Sequence, residues 1–208
     1  MTEATLVRRV LKPALFVGAL VPAALLVRGA FSDGLGVNPI ETITLTTGRW
    51  ALRFLLAALA VTPVRRLTRW HAVIRLRRML GLFAFFYATL HFLTYIVLDH
   101  FFDWPRIVDD IVKRRFITLG FLAFVLMAPL ALTSTAGWVR RLGGRNWQRL
   151  HRLIYVSGVC AVIHFLWKVK VITWDPLKYA VILAALLAFR VWWAYRPQRV
   201  ARRAAERA

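Results

Sequence analysis

The chain has 208 residues, of which 60% are hydrophobic, and its 30 Lys and Arg against nine Asp and Glu give a net charge of +21. This composition is too apolar for an ordinary soluble domain and indicates a membrane protein. The basic residues cluster between apolar runs, as orientation signals do in membrane proteins, so we exclude nucleic acid as a partner and expect a lipid bilayer instead.

Six apolar runs predict an all-α protein, a six-helix transmembrane bundle that forms a single domain over residues 1–208. Several runs are shorter than the roughly 20 residues that a full crossing needs, so flanking aromatic and basic side chains are expected to extend them. The sequence shows no internal repeat. The runs are 13–27, 50–64, 79–98, 116–133, 153–167 and 177–194.

The distribution of Lys and Arg predicts the orientation of the bundle. The N-terminal segment, the 65–78 loop, the 137–152 loop and a basic tail at about 196–208 hold 19 of these residues, and the opposite segments hold eight. The positive-inside rule therefore predicts that both termini are cytoplasmic. On the opposite side, the stretch "PRIVDDIVKRRF" (105–116) predicts a short helix that lies on the outer surface.

The third and fifth runs carry histidines at matching depths. His91 lies 13 residues beyond Arg78, and His164 lies 13 residues beyond His151, which is about 20 Å in each helix. Two imidazoles on neighbouring helices at one depth can bind a metal between them, and haem iron takes two such axial ligands. Small neighbours such as Ala88 and Ala161 leave room for a flat macrocycle. They equally allow close helix packing with only a histidine hydrogen bond across the interface.

His151 lies at the cytoplasmic edge of the fifth run, about 140° from His164 around an ideal helix. It could ligate a second haem, line a quinone or flavin pocket, or anchor the helix to headgroups. His71 and His100 lie in a loop and at the outer boundary, and both are expected to be solvated or interfacial. The chain has no glycine-rich dinucleotide fingerprint, so electrons would have to come from another molecule.

Four stretches resemble the MsrQ family (formerly YedZ), the haem-binding membrane subunits of bacterial periplasmic methionine sulfoxide reductase systems, within the ferric-reductase-like transmembrane group. The resemblance covers about residues 10 to 195. The stretches are "GLGVNPIETITLTTGRWALRFLLA" (34–57), "RRMLGLFAFFYATLHFLTY" (77–95), "TLGFLAFVLMAPLALTST" (118–135) and "WQRLHRLIYVSGVCAVIHFLWKVK" (147–170).

The resemblance implies a multi-pass protein of the bacterial cell inner membrane that binds one or two haems b, with flavin mononucleotide (FMN) as a further candidate cofactor. It implies a non-catalytic subunit that passes electrons from the quinone pool, or from a flavin reductase, to a periplasmic molybdopterin-containing methionine sulfoxide reductase that repairs oxidised proteins. The family's functional histidines fall on His91, His151 and His164. Three other functions stay open: a ferric or cupric reductase without a protein partner, a proton-coupled transporter that uses the membrane histidines, and a structural anchor that recruits a partner and carries no cofactor.

Overall fold

The structure is a computed structural model that describes residues 2–169 and 173–205, with side chains up to Tyr195. Every regular element in these ranges is helical, which confirms the predicted all-α class. Lys170 and the side chains of the predicted basic tail at about 196–208 lie outside the described part. The α-helices are Glu3–Leu6 (α1), Lys12–Phe31 (α2), Pro39–Thr68 (α3), Arg77–Leu93 (α4), Trp104–Lys113 (α5), Arg115–Leu132 (α6), Ala136–Leu142 (α7), Gly144–Leu150 (α8), Leu153–Lys168 (α9) and Trp174–Ala205 (α10).

Shorter helical turns extend three of these helices. A π-helical turn, Val7–Leu11, joins α1 and α2 into one helix, while a 3-10 helix, His71–Leu76, and a π-helical turn, Thr94–Asp99, flank α4. Within the described residues, five segments are long and apolar enough to cross a membrane. They are Glu3–Phe31, His71–Asp99, Arg115–Leu132, Gly144–Lys168 and Trp174–Tyr195.

The remaining predicted run, 50–64, lies in α3, which is not among these five segments. The physical reason is charge, because Arg49 and Arg53 fall inside the 30-residue helix. Both arginines have partners on α10. Arg53 donates from Nε to the Tyr179 hydroxyl at 3.1 Å, and Arg49 pairs with Asp175 at 3.0 Å.

α3 lies at the centre of the bundle. It packs most extensively against α4, while α6 packs in the same way against α9, and α10 contacts both α3 and α9. Leu52, Leu55 and Leu59 are buried along α3, and Phe54 stacks on Tyr87 of α4 with 5.5 Å between the ring centroids. Large apolar side chains remain exposed on the outer helices, as expected for surfaces that contact lipid.

The two ends of the bundle differ in the features that lie there. At one end, the start of α3, the end of α4, the start of α6 and the end of α9 meet around a cavity beside α5. At the other end the Trp147 indole of α8 donates to the Thr133 carbonyl at the end of α6, at 2.9 Å. These are called the α5 end and the α8 end below.

The predicted surface helix in 105–116 is observed as α5, but its neighbour His100 differs from expectation. The His100 side chain is only 9% exposed, and its Nε2 lies 3.4 Å from the carboxylate of Asp110. Arg114 pairs with the same carboxylate at 3.1 Å. His100 was expected to be solvated or interfacial, and the structure contradicts the solvated alternative, because α5 folds back over His100 and buries Asp110 beside it. His71 is exposed, as expected.

Tyr87 of α4 bridges two backbone groups of α2 next to Pro22. Its hydroxyl donates to the Ala19 carbonyl at 2.6 Å and accepts from the Ala23 amide at 3.2 Å, and the side chain is fully buried. A proline inside a helix disturbs the backbone hydrogen bonds around it. The hydroxyl therefore connects α4 to the part of α2 where Pro22 removes a backbone hydrogen-bond donor.

We expect Tyr87→Phe to lower the free energy of unfolding by about 1–3 kcal/mol, because both backbone groups lose a partner in apolar surroundings. Thermal unfolding of the detergent-solubilised protein measures the loss. Tyr195→Phe is the matched control, since Tyr195 is 58% exposed. Equal melting temperatures for the two variants would contradict the assignment.

Candidate cofactor site

A cavity of about 500 Å³ lies between α3, α4, α6 and α9 and reaches the α5 end of the bundle. His91 of α4 and His164 of α9 both line it, with 6.1 Å between their ring centroids and 77° between the ring planes. The structure therefore brings together the two histidines whose depths match in the sequence. The volume lies within the range of about 300–1,000 Å³ typical of ligand and cofactor pockets.

Each imidazole is held by a backbone carbonyl of the neighbouring helix. Nδ1 of His91 lies 2.9 Å from the Thr44 carbonyl oxygen, and Nδ1 of His164 lies 2.7 Å from the Phe116 carbonyl oxygen. A carbonyl only accepts, so each Nδ1 carries the proton and each Nε2 keeps a free lone pair. This tautomer, with the second nitrogen bound to a backbone carbonyl, is the one that metal-binding histidines usually have.

A glycine makes room for each ring. A Cβ atom at Gly120 of α6 would lie 2.7 Å from Nδ1 of His164, and one at Gly48 of α3 would lie 3.1 Å from Nδ1 of His91. Both distances are shorter than ordinary van der Waals contacts, which begin near 3.4 Å. A Cβ at Gly120 would therefore require the His164 ring or its surroundings to shift, and one at Gly48 would require a smaller adjustment around His91.

The same arrangement is built twice. In each case the glycine lies four residues after the residue whose carbonyl accepts the hydrogen bond, Thr44 before Gly48 and Phe116 before Gly120. The glycine precedes its histidine by 43 residues in the first pair and by 44 in the second. The sequence shows no repeat because the accepting groups are backbone carbonyls, which leave no trace in residue type.

Two facing imidazoles suit a metal ion that brings its other ligands with it. Imidazole nitrogens bind transition metal ions at about 2 Å, so two rings whose centroids lie 6.1 Å apart are close enough to bind one ion between them. Within the described residues no group of three or more His, Cys, Asp or Glu could hold a metal. A bare ion would therefore lack ligands here, whereas haem iron needs only axial ones.

The walls of the cavity are apolar at depth and polar at the α5 end. The predicted small neighbours Ala88 and Ala161 both line it, which leaves flat space beside each ring. The deeper apolar residues include Leu55, Ala123, Phe124 and Met127, and the residues at the α5 end include Asn38, Glu41, Arg49, Asp99, Arg114 and Lys168.

His151 does not line this cavity. It lies between α8 and α9, where its ring stacks on Trp147 with 3.8 Å between centroids and its Nδ1 lies 3.1 Å from the Trp147 carbonyl. The backbone of Leu130 also lies close to this ring, and the buried Nε2 forms no hydrogen bond of good geometry. The helix rise places it about 20 Å from His164 along the bundle, so His151 is not a ligand of a group held between His91 and His164.

Gly48 and Gly120 are the site residues that the sequence interpretation missed. A glycine inside a helix is less favourable than alanine by roughly 1 kcal/mol. Gly120 lies inside an apolar run and Gly48 lies just before one, at nearly equal spacing from the two depth-matched histidines, and this pattern is a signal that could have found them.

A family model and several curated relatives match this chain over most of its length. The model of the family described as ferric reductase like transmembrane component matches residues 47–166, which hold both glycines and all three candidate histidines. A relative from Herminiimonas arsenicoxydans is 53% identical over 188 residues, covering 89% of this chain and 86% of its own length. One from Xanthomonas euvesicatoria pv. vesicatoria is 54% identical over 180 residues (84% and 82%), and one from Rhodospirillum rubrum is 51% identical over 189 residues (91% of each).

All three relatives carry the name protein-methionine-sulfoxide reductase heme-binding subunit MsrQ. The identity exceeds half of the aligned residues and extends over nearly the whole length of both partners. The chain therefore belongs to the MsrQ family, within the ferric reductase-like transmembrane components.

Proposed function

We propose that this chain is a haem-binding electron-transfer subunit of a methionine sulfoxide reductase system, in which His91 and His164 are the axial ligands of one haem b. The observation that carries the proposal is the pair of imidazoles 6.1 Å apart, each with Nδ1 bound to a carbonyl and Nε2 free. The names of the relatives, which describe a heme-binding subunit of such a reductase, support it.

A bound haem would supply reversible one-electron chemistry at its iron. The residues of the chain hold and tune that group. The Thr44 and Phe116 carbonyls fix the tautomer and the orientation of the two imidazoles, and their hydrogen bonds raise the basicity of the ligands. The apolar walls keep water away from the iron, which affects its potential.

We propose further that α3 is a sixth crossing, with both termini in the cytoplasm and the α5 end facing the periplasm of a bacterial inner membrane. The 30 residues of α3 extend about 45 Å, more than the roughly 30 Å of a hydrocarbon core. Arg53 is accommodated by the Tyr179 hydroxyl and by the Trp50 ring, 4.7 Å away. The excess of Lys and Arg at the α8 end supports this orientation.

Electrons would then enter near the α8 end and leave at the α5 end. The donor is the quinone pool or a flavin reductase, and the acceptor is a periplasmic molybdopterin-containing catalytic subunit. The stacking of the His151 ring on Trp147 beside basic residues of α8 supports an entry site of this kind, for FMN, a quinone or a second haem. The His91 and His164 cavity lies between this region and the α5 end.

A metal-ion reductase is the second candidate function, and the name of the matched family, ferric reductase like, favours it. Such a protein would pass electrons from the same pair of histidines directly to ferric or cupric ions. A proton-coupled transporter is less well supported, because each imidazole has one nitrogen fixed by a carbonyl and so is poorly arranged to relay protons.

Reduction and reoxidation of the purified protein test these functions. We expect a b-type spectrum on addition of dithionite, with at least one haem per chain. Anaerobic addition of the periplasmic reductase together with methionine sulfoxide should then reoxidise the haem, whereas ferric citrate alone should not. A colourless protein would refute the proposal, and fast reoxidation by ferric citrate alone would favour the metal-ion reductase.

A further inference from the structure

The cavity between His91 and His164 is polar at one end only. Its deep wall is formed by carbon atoms of residues such as Leu55 and Met127, whereas charged residues surround its opening at the α5 end. Haem has a matching asymmetry, since its two propionate carboxylates project from one edge of the porphyrin and the opposite edge is apolar. The charged residues at the opening are Glu41, Arg49, Asp99, Arg114 and Lys168.

Three cations lie at the opening of the cavity, which we call its rim, and among the described residues Lys168 is the one of them that forms no ion pair. Arg49 already pairs with Asp175, and Arg114 with Asp110. Lys168 has no carboxylate within ion-pair distance among the described residues. It follows His164 by four residues on α9, so it lies on the same helix face, about 6 Å closer to the α5 end.

Arg114 lies on the opposite wall, two residues before Phe116, whose carbonyl holds His164. It contacts Asp110 through Nε, and the terminal nitrogens of a guanidinium carry four further N–H donors. Arg114 can therefore keep its contact with α5 and still donate into the cavity. The carboxylates of Glu41 and Asp99 also lie on the rim, so an anionic group needs direct contact with these cations to be stabilised there.

We propose that Lys168 and Arg114 bind the two propionate carboxylates of the haem and so fix its orientation, with the carboxylate edge at the α5 end. This inference rests on the proposed function, because it needs a haem held by His91 and His164. The reverse orientation would bury two carboxylates against Leu55 and Met127 with no partner, which is strongly unfavourable. The edge that faces the α5 end is then the one nearest to the proposed electron acceptor.

The test compares haem with its dimethyl ester, in which both carboxylates are blocked and the iron and ring are unchanged. Each porphyrin is titrated into the full-length haem-free protein in detergent, and binding is followed by the absorption of the six-coordinate iron. We expect the wild-type protein to prefer haem by about tenfold or more, the effect of at least one charge-assisted hydrogen bond. Lys168→Met should reduce that preference several-fold, and Lys168→Arg should keep most of it.

Lys113→Met is the matched control, because Lys113 lies on α5 outside the cavity and pairs with Asp109. It should discriminate as the wild type does. Equal affinity of the wild-type protein for haem and for the ester would overturn the proposal without any variant, and so would unchanged discrimination in Lys168→Met. If neither porphyrin gives a six-coordinate spectrum in the wild type, the proposed function itself fails.

Discussion

Replacing His91 or His164 by alanine is expected to abolish the six-coordinate haem absorption and to leave the protein in the membrane. Each variant removes one of the two imidazoles that we propose as haem ligands, and the described residues around the cavity offer no further cluster of metal ligands to replace it. Loss even of a second-shell partner typically lowers metal affinity by about 10–100-fold. Loss of the ligand itself should therefore lower haem affinity by at least about 100-fold.

Absorption spectra and haem content of purified membranes measure this effect. His71→Ala is the control, because His71 is exposed and lies outside the cavity, and its spectrum should match the wild type. His151→Ala separates one haem from two. It should leave the absorption assigned to His91 and His164, and any absorption it removes belongs to a second group at the α8 end. An unchanged spectrum in His91→Ala or His164→Ala would refute the ligand assignment.

The sequence predicts the part of this site that depends on position along single helices. The 13-residue spacings of His91 and His164 fix their depth because the helix rise is constant, and in the structure the two ring centroids lie 6.1 Å apart. The membrane class and the all-α fold follow from composition in the same way. These properties are local, so they need no knowledge of which helices are neighbours.

The parts that the sequence does not predict depend on contacts between distant segments. Arg53 sits inside an apolar helix because Tyr179, 126 residues later, accepts its hydrogen bond. His100 is buried only because α5 folds back and brings Asp110 to it. No periodicity in either segment contains that information, so the partner of Arg53 and the environment of His100 had to come from the structure.

The repeated arrangement around the two histidines has the same origin. A carbonyl is present at every residue, so the residue type at Thr44 or Phe116 says nothing about the hydrogen bond that its backbone accepts. Only Gly48 and Gly120 leave a mark in the sequence. Their meaning depends on which ring packs against them, and that is a matter of how α3 meets α4 and how α6 meets α9.

Alanine substitutions at Gly81 and Gly120, both inside helices, are expected to change the stability of the protein in opposite directions. Gly→Ala inside a helix normally stabilises by up to about 1 kcal/mol. We expect that gain, or no change, for Gly81→Ala in α4, since a Cβ there meets nothing within 4 Å. We expect Gly120→Ala to lower the stability, because the Cβ would lie 2.7 Å from Nδ1 of His164 and 2.9 Å from its Cε1.

A Cβ so close to the ring requires a shift, and we expect a shift of the His164 ring to weaken its hydrogen bond to the Phe116 carbonyl, which fixes its tautomer. Gly120→Ala should therefore lower haem affinity by about 10–100-fold, the effect of losing a second-shell partner. Gly48→Ala should follow with a smaller loss, because its Cβ would lie 3.1 Å from the His91 ring. Haem titration of the three variants measures the order of their haem affinities. Electron paramagnetic resonance of the ferric form reports the orientation of the imidazole rings. If Gly120→Ala bound haem as tightly as Gly81→Ala, the close approach of α6 to His164 would not be what positions this ligand.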